Sequence, residues 1–320
     1  LYGMRYLYGT TGTTKLTEIG AALSNAEGGL LAMQVIGVVF VIVGFGFKIS
    51  AVPFHTWAPD TYQGAPLPVT AYLSVASKAA GFVAILSMLY VGLYAADAVY
   101  EPFIFVLAAL TMTVGNVIAL RQSNIVRLLA YSSISQAGFI LMPLAVMASG
   151  GAESSLKAVV IYLLIYALSN LGAFAVIMAV SRKTGSGEIS SYGGLIQYSP
   201  GLAALMTVFL TSLTGIPPLG IWIAKLTAFR ALIEAGNGIG YVLAVIAAVN
   251  TVIAAAYYMK VLRVIWMRPV PDGDTSRIVV PQPIWLALGI CAIGTIALGL
   301  FPGLVLQFAD LPSLTGAFGG

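Results

Sequence analysis

Residues 44–81 read GFGFKISAVPFHTWAPDTYQGAPLPVTAYLSVASKAAG, and the fold turns on this stretch. Lys48 lies near the end of one long apolar run, and Lys78 lies in the middle of the next. Between them stand Pro53, His55, Pro59, Asp60, Gly64, Pro66 and Pro68, a knot of helix breakers and polar groups. A charge inside a bilayer costs roughly 3 to 15 kcal/mol, so it marks an ion path or a paired site. Broken backbone at membrane depth survives only where protein or a wet cavity satisfies it. The two oddities together point to transport.

Outward from that stretch the chain stays apolar. Its 320 residues are 59% hydrophobic and 8% charged, against roughly 25% charged in a soluble domain, which makes it a membrane protein. The net charge of +4 is read as basic cytoplasmic loops, not as nucleic-acid binding. One cysteine, Cys291, excludes an internal disulfide and a cysteine-ligated metal site; one histidine, His55, excludes a multi-histidine metal or haem site. No dinucleotide fingerprint or phosphate loop is present. No metal or cofactor site is therefore expected in this chain, and any redox group belongs to another subunit.

A crossing needs about 20 apolar residues. Leu1–Thr10 reads as the tail of a span already under way, so the sequence is expected to be a fragment or to lack its first helices. A polar loop with Lys15, Glu18 and Glu27 follows. Apolar runs then cover Leu30–Val52, Pro68–Tyr94, Pro102–Leu120, Leu128–Ala148, Ala158–Ser181, Pro200–Ile233, Gly240–Trp266 and Ile284–Leu306. The expected fold is an all-α polytopic membrane protein with about eight full transmembrane helices and a partial one. Alternate loops carry Arg121 and Arg127, then Arg182 and Lys183, then Lys260, Arg263, Arg268 and Arg277. The intervening loops carry Asp97 and Glu101, Glu153 with Lys157, Glu234, and finally Asp310. The positive-inside rule puts the Arg-rich set in the cytoplasm, runs Leu30–Val52 inward and leaves the C-terminus outside.

Two crossings are interrupted. Gly28–Pro66 and Tyr198–Gly236 each hold roughly 40 residues, more than a straight helix needs to span a bilayer. Pro53 breaks the first, and Pro217 and Pro218, flanked by Gly215 and Gly220, break the second by removing backbone donors. Lys48 precedes one break and Lys225 follows the other. By the loop charges the two elements cross in opposite directions, the pattern that locates a transporter site.

The residues that carry chemistry each have a structural reading as well. Lys78 stands about 16 Å into its helix, too deep to reach the headgroups; it is either a relay group or a buried lysine tied to carbonyls. A low-dielectric setting penalises a bound ammonium, the property a proton relay needs. Lys48 either snorkels or faces a cavity at the Pro53 break. Lys225 completes the candidate relay. Arg230 and Glu234, at i,i+4 spacing, read as an ion pair on the exit side. His55 is an interfacial histidine or a titrating group, and Asp60 is a counter-charge for Lys48 or a cap for the helix after the break. Tyr131, Ser132, Ser133, Ser135 and Gln136 form a polar run that either glues helices or orders water between lysines.

FKISAVPFHTWAPDTYQGAPLPVTAYLSVASKAAG, GNVIALRQSNIVRLLAYSSISQAGF and LTGIPPLGIWIAKL resemble the antiporter-like proton-pumping membrane subunits of respiratory complex I, in order along nearly the whole chain. The resemblance implies an antiporter-like fold with inverted repeats in a single membrane domain: residues 29–95 close the first repeat, 101–267 form the second and 283–306 the final helix. It implies a lysine chain along the membrane centre, here Lys48, Lys78 and Lys225, with possible relay or gating by His55, Asp60, Tyr131, Ser132, Ser135 and Gln136. The family's glutamate on an earlier helix has no counterpart here, and some relatives carry histidine where this chain has Gln136. Implied companions are a neighbouring antiporter-like subunit M and a small subunit K in a bacterial inner membrane. NADH, FMN, iron–sulfur clusters and quinone belong to other subunits. Two other readings stay open: a subunit of a multi-subunit sodium/proton antiporter or membrane-bound hydrogenase, and a scaffold whose lysines only neutralise helix dipoles.

Overall fold

A computed structural model of the chain describes residues 1–26 and 29–309; Glu27 and Asp310, expected in loops, and the C-terminus lie outside them. The described residues form helices joined by short turns, with one isolated β-bridge between Asn124 and Glu188. In order they are α1 (Tyr2–Thr11), α2 (Leu16–Ser24), α3 (Ala32–Ile49), α4 (Trp57–Gly64), α5 (Leu67–Tyr72) and α6 (Lys78–Ser87). There follow α7 (Asp97–Leu120), α8 (Ile125–Leu141), α9 (Met147–Gly150), α10 (Ala152–Thr184) and α11 (Leu195–Tyr198). The last are α12 (Pro200–Thr214), α13 (Gly220–Glu234), α14 (Gly238–Met267), α15 (Gln282–Leu300) and α16 (Gly303–Ala309). Among the described residues 7 helical stretches are long and apolar enough to cross a membrane, and the broken pair α12–α13 supplies one crossing more.

Several expected boundaries move. The loop holding Lys15 and Glu18 contains α2, whose first turn gains the Lys15–Glu18 pair at 2.9 Å. The span expected from Pro102 begins at Asp97, and the helix carries Pro102 inside it, at its sixth residue. Asn124 caps α8, which starts at Ile125, three residues before Leu128, its Oδ1 accepting from the Val126 and Arg127 amides at 3.0 and 3.1 Å. The final span stops at Leu300, ahead of Pro302, and a separate short helix, α16, follows from Gly303.

α8 is the hub. It is buried along almost its whole length, with α7 and α10 packed against it. α14 and α15 lie at the margin and expose Val242, Val245, Val249, Val252, Ile290 and Ile293, a surface suited to lipid. Between Tyr72 and Lys78 the helix widens into a π turn, Leu73–Ser77, a device found where a helix must present a functional group.

Contacts between loops sort the chain into two faces. On one, Ile125 N donates to Gly187 O at 2.7 Å, Lys260 Nζ reaches Gln122 O at 3.0 Å and Lys183 Nζ reaches Asp274 O at 2.8 Å. On the other, the Glu101 carboxylate accepts from Ala148 N at 2.7 Å, and Asn237 Nδ2 donates to Ser149 Oγ at 2.9 Å. The Arg-rich loops thus share one face and the acidic loops the other. α3 runs from the acidic to the basic face and α12 from the basic to the acidic, so the two broken spans do cross in opposite directions.

Candidate functional site

Both breaks satisfy their own backbone. Ser50 ends α3 in the left-handed region at φ 61, and Ala51 N folds back to Gly46 O at 2.7 Å. Pro53 cannot continue the ladder, and Val52 N instead donates to Thr111 Oγ1 on α7 at 3.0 Å, while Trp57 Nε1 caps Phe47 O at 3.0 Å. At the second break Gly215 turns the chain at φ 91 and α12 leaves its last carbonyls open. Gly299 of α15 lies hard against Pro218 O, where no side chain would fit.

Those open carbonyls are where the site is built. Lys225, 4% exposed, donates from Nζ to Thr214 O at 2.9 Å and to Thr251 Oγ1 of α14 at 3.1 Å, and it lies 4.3 Å from the centre of the Phe139 ring. The C-terminal end of a half-helix carries partial negative charge, so α12 offers the ammonium a dipole as well as a bond. Gln136 Nε2 holds the neighbouring carbonyl, Leu213 O, at 3.0 Å, and its Oε1 accepts from the Tyr162 hydroxyl.

Lys78, equally buried at 4%, donates to Ser133 O at 2.7 Å and to Ser133 Oγ at 2.9 Å. One turn before it, Ser74 accepts from Asn170 Nδ2 of α10 at 2.8 Å. On the adjoining position of α8, Ser132 shares a hydrogen bond with Tyr258 of α14. Successive turns of one buried helix therefore serve both lysines, Ser133 toward Lys78 and Gln136 toward the Lys225 break. A second polar clasp, Asn116–Asn250 at 3.0 Å with Tyr257 on Asn116 at 3.1 Å, ties α7 to α14 beside Thr251.

The remaining expected residues fall elsewhere. Lys48 occupies the last turn of α3, exposed on the described surface, its stem crossing Gly81 of α6. Asp60 does not pair with Lys48 and makes no side-chain cap: the α8 terminus lies over α4, and Arg127 takes Asp60 at 2.6 Å. Tyr131 is half-buried with the Arg127 guanidinium 5.9 Å from its ring centre, on the basic side rather than between the lysines. His55 lies half-buried in the turn between α3 and α4 with Nδ1 enclosed. Ser135 is buried with its Oγ unpaired. Arg230 and Glu234 form the expected pair at 2.6 Å on the acidic face, and Ser154 Oγ donates to the same carboxylate at 2.9 Å. Ser133 outranks the neighbours chosen from the sequence, and Thr214, Thr251, Tyr162 and Tyr258 were not foreseen. Thr251, Tyr162 and Tyr258 gave no signal because each arrives from a distant helix, whereas Thr214 lies 11 residues before Lys225 in the same interrupted span and acts through its backbone carbonyl.

Interrupted spans of opposite direction, each with a lysine at the break and a buried lysine between, define a polytopic membrane protein of the antiporter-like class. The family described as NADH:quinone oxidoreductase/Mrp antiporter, TM, matches residues 1–253, and the chain belongs to it. It is 41% identical over 312 residues to NADH-quinone oxidoreductase subunit N of Trichlorobacter lovleyi, covering 97% of this chain and 62% of that protein. A chain of respiratory complex I from Thermus thermophilus with bound aureothin superposes with a TM-score of 0.78 at 32% identity, over 96% of this chain and 64% of that one. A chain of the Mrp complex from Dietzia shares the fold, with a TM-score of 0.85 at 21% identity over 99% of this chain and 66% of the other. The chain thus spans a little under two thirds of the length of the curated relatives it matches.

Proposed function

We propose that this chain is part of a proton-translocating membrane subunit of an NADH-quinone oxidoreductase of the complex I type, in the manner of subunit N. The observation that carries the reading is that Lys78 and Lys225, both buried, are served by successive turns of one buried helix through Ser133 and Gln136. Lys48, Lys78 and Lys225 form the relay, and Arg230 with Glu234 stands at the exit side. Electron transfer to quinone, in other subunits that hold NADH, FMN and iron–sulfur clusters, changes the charge near Lys48. Like charges in a low dielectric repel strongly and so couple their proton occupancy. A proton arriving at Lys48 then drives one from Lys78 toward Lys225. The neighbours are an antiporter-like subunit M and a small subunit K, the membrane is the bacterial inner membrane, and the basic face is cytoplasmic with the C-terminus outside. Residues 29–95 and 101–267 belong to the two inverted repeats.

The family description embraces Mrp antiporters too, so sodium/proton exchange is the second reading; sodium-dependent proton flux without quinone turnover would favour it. The deciding experiment is Lys78→Ala in the assembled enzyme in inverted vesicles. Protons moved per electron are expected to fall while quinone reduction in detergent persists. An unchanged ratio removes Lys78 from the relay.

A further inference from the structure

Asn116 of α7 and Asn250 of α14 are 0% and 2% exposed, and the proposed relay uses neither. Asn116 Nδ2 donates to Asn250 O at 2.9 Å and to Asn250 Oδ1 at 3.0 Å, while its own Oδ1 accepts from the Tyr257 hydroxyl at 3.1 Å. Asn250 Nδ2 donates in turn to Thr113 Oγ1 at 3.1 Å and to Ile246 O at 2.9 Å. Every nitrogen and oxygen of the two side-chain amides is thus bonded. A buried polar network satisfied in full fixes one arrangement of the elements it joins. Here it joins α7, packed along the hub helix α8, to α14, whose outer face is rich in valine. Helices in a bilayer gain nothing from the hydrophobic effect when they associate, because lipid tails are as apolar as leucine. The register of α14 against α7 therefore depends on packing and on polar bonds of this kind.

That register matters one residue further on. Thr251 Oγ1 donates to Ala247 O at 3.0 Å, which leaves its lone pairs to accept from Lys225 Nζ at 3.1 Å. Thr214 O accepts from the same ammonium at 2.9 Å. A shift of α14 by one residue moves a side chain about 1.5 Å along the axis and about 100° around it. Such a shift breaks the clasp and carries the Thr251 hydroxyl away from Lys225 at the same time. A buried ammonium that loses an acceptor holds its proton less firmly, because hydrogen bonds to the charged form favour that form.

We propose that Asn116 and Asn250 are positioning residues for Lys225. By fixing the register of α14 they set the Thr251 hydroxyl against the ammonium, and so determine how firmly the second lysine holds its proton. This assignment rests on the relay reading of Lys225 and adds to it two residues that bond neither buried lysine.

Asn116→Leu, Asn250→Leu, Thr251→Val and Thr251→Ser, made in the complete membrane enzyme and assayed in inverted vesicles beside Lys225→Ala, test this. Leucine keeps the branching of asparagine, and valine that of threonine, without the polar atoms. Both leucine variants are expected to lower protons per electron as far as Thr251→Val does, while quinone reduction in detergent persists. Thr251→Ser, which keeps the hydroxyl, is expected to retain the full ratio. Asn250→Leu combined with Thr251→Val is expected to fall no further than Thr251→Val alone, because residues that act through one another are not additive. A further drop in the combined variant means that the clasp serves packing at large, and overturns the positioning role. A full ratio in the leucine variants, with Lys225→Ala impaired, overturns it too and leaves the relay standing; a full ratio in Lys225→Ala overturns the relay itself. If the leucine variants fail to assemble, Thr113→Val replaces them, since Thr113 is the exposed member of the clasp and its hydroxyl holds only Asn250. Its loss of ratio should vanish once Thr251→Val is present; an equal loss in both backgrounds, or none in either, overturns the positioning role.

Discussion

Gly215 shows how narrowly the second lysine site is specified by single residues. Its φ of 91 lies where side chains are strained, and an added Cβ would stand 2.9 Å from Lys225 Cδ. Gly215→Ala is expected to destabilise the fold by about 1–3 kcal/mol and to lower protons per electron by displacing the ammonium from Thr214 O. Gly289→Ala, on a face of α15 with open space, is the control and should be neutral or slightly stabilising, by up to about 1 kcal/mol. Thermal unfolding and the proton ratio measured on the same preparations check both. The lysines themselves were legible in the sequence, since a cation flanked by apolar residues needs no partner to be noticed. Their bonding groups were not. A serine in an apolar helix satisfies itself on its own preceding turn or reaches a neighbour, and spacing along α8 could not say that Ser133 faces Lys78 while Ser132 faces Tyr258. Asp60 reads in the sequence as a counter-charge for Lys48 or a cap for the helix after the break, whereas its partner Arg127 comes from 67 residues away.

At the scale of elements, proline and glycine made the two broken spans readable, because each removes or redirects backbone bonds whatever its surroundings. α2 and the π turn before Lys78 carried no such marker: α2 has only 9 residues, and the π turn depends on the helices around it. The loop from Arg268 to Pro281 had only its basic residues to define it. Its anchor is Asp274, whose carboxyl is held below the usual range first by the Ser276 amide and hydroxyl and then by the Lys183 ammonium. A depressed folded value means the anchor contributes fully above the unfolded carboxyl pKa of about 4 and is lost as pH falls through the folded value. Protease cleavage within the loop is expected to be slow and constant from neutral pH down to about 4 and to quicken as pH falls from there through the folded value. Asp274→Asn should give the faster cleavage at every pH. Added salt should weaken the Lys183 part, because the pair is open to solvent.

For the whole molecule the ordering of charge into two faces bounds what the proposed relay can do. Lys78 and Lys225 are buried between a basic face, closed by the Asn124–Glu188 bridge and the Lys183–Asp274 contact, and an acidic face, closed by Glu101 on Ala148 and Ser149. A proton moving along the seam that α8 provides travels in the membrane plane, so net translocation depends on uptake at one face and release at the other. Orientation is therefore a functional quantity, and the positive-inside rule predicts the basic loops in the cytoplasm. Single cysteines at Thr275 on the basic face and Ala98 on the acidic face, both exposed, read it directly, because the native Cys291 is buried. In right-side-out vesicles an impermeant thiol reagent is expected to label Ala98→Cys and to spare Thr275→Cys until the membrane is opened, and inverted vesicles should reverse the pattern. Labelling of Thr275→Cys from outside would turn the molecule over, and with it the proposed placing of Arg230 and Glu234 on the release side.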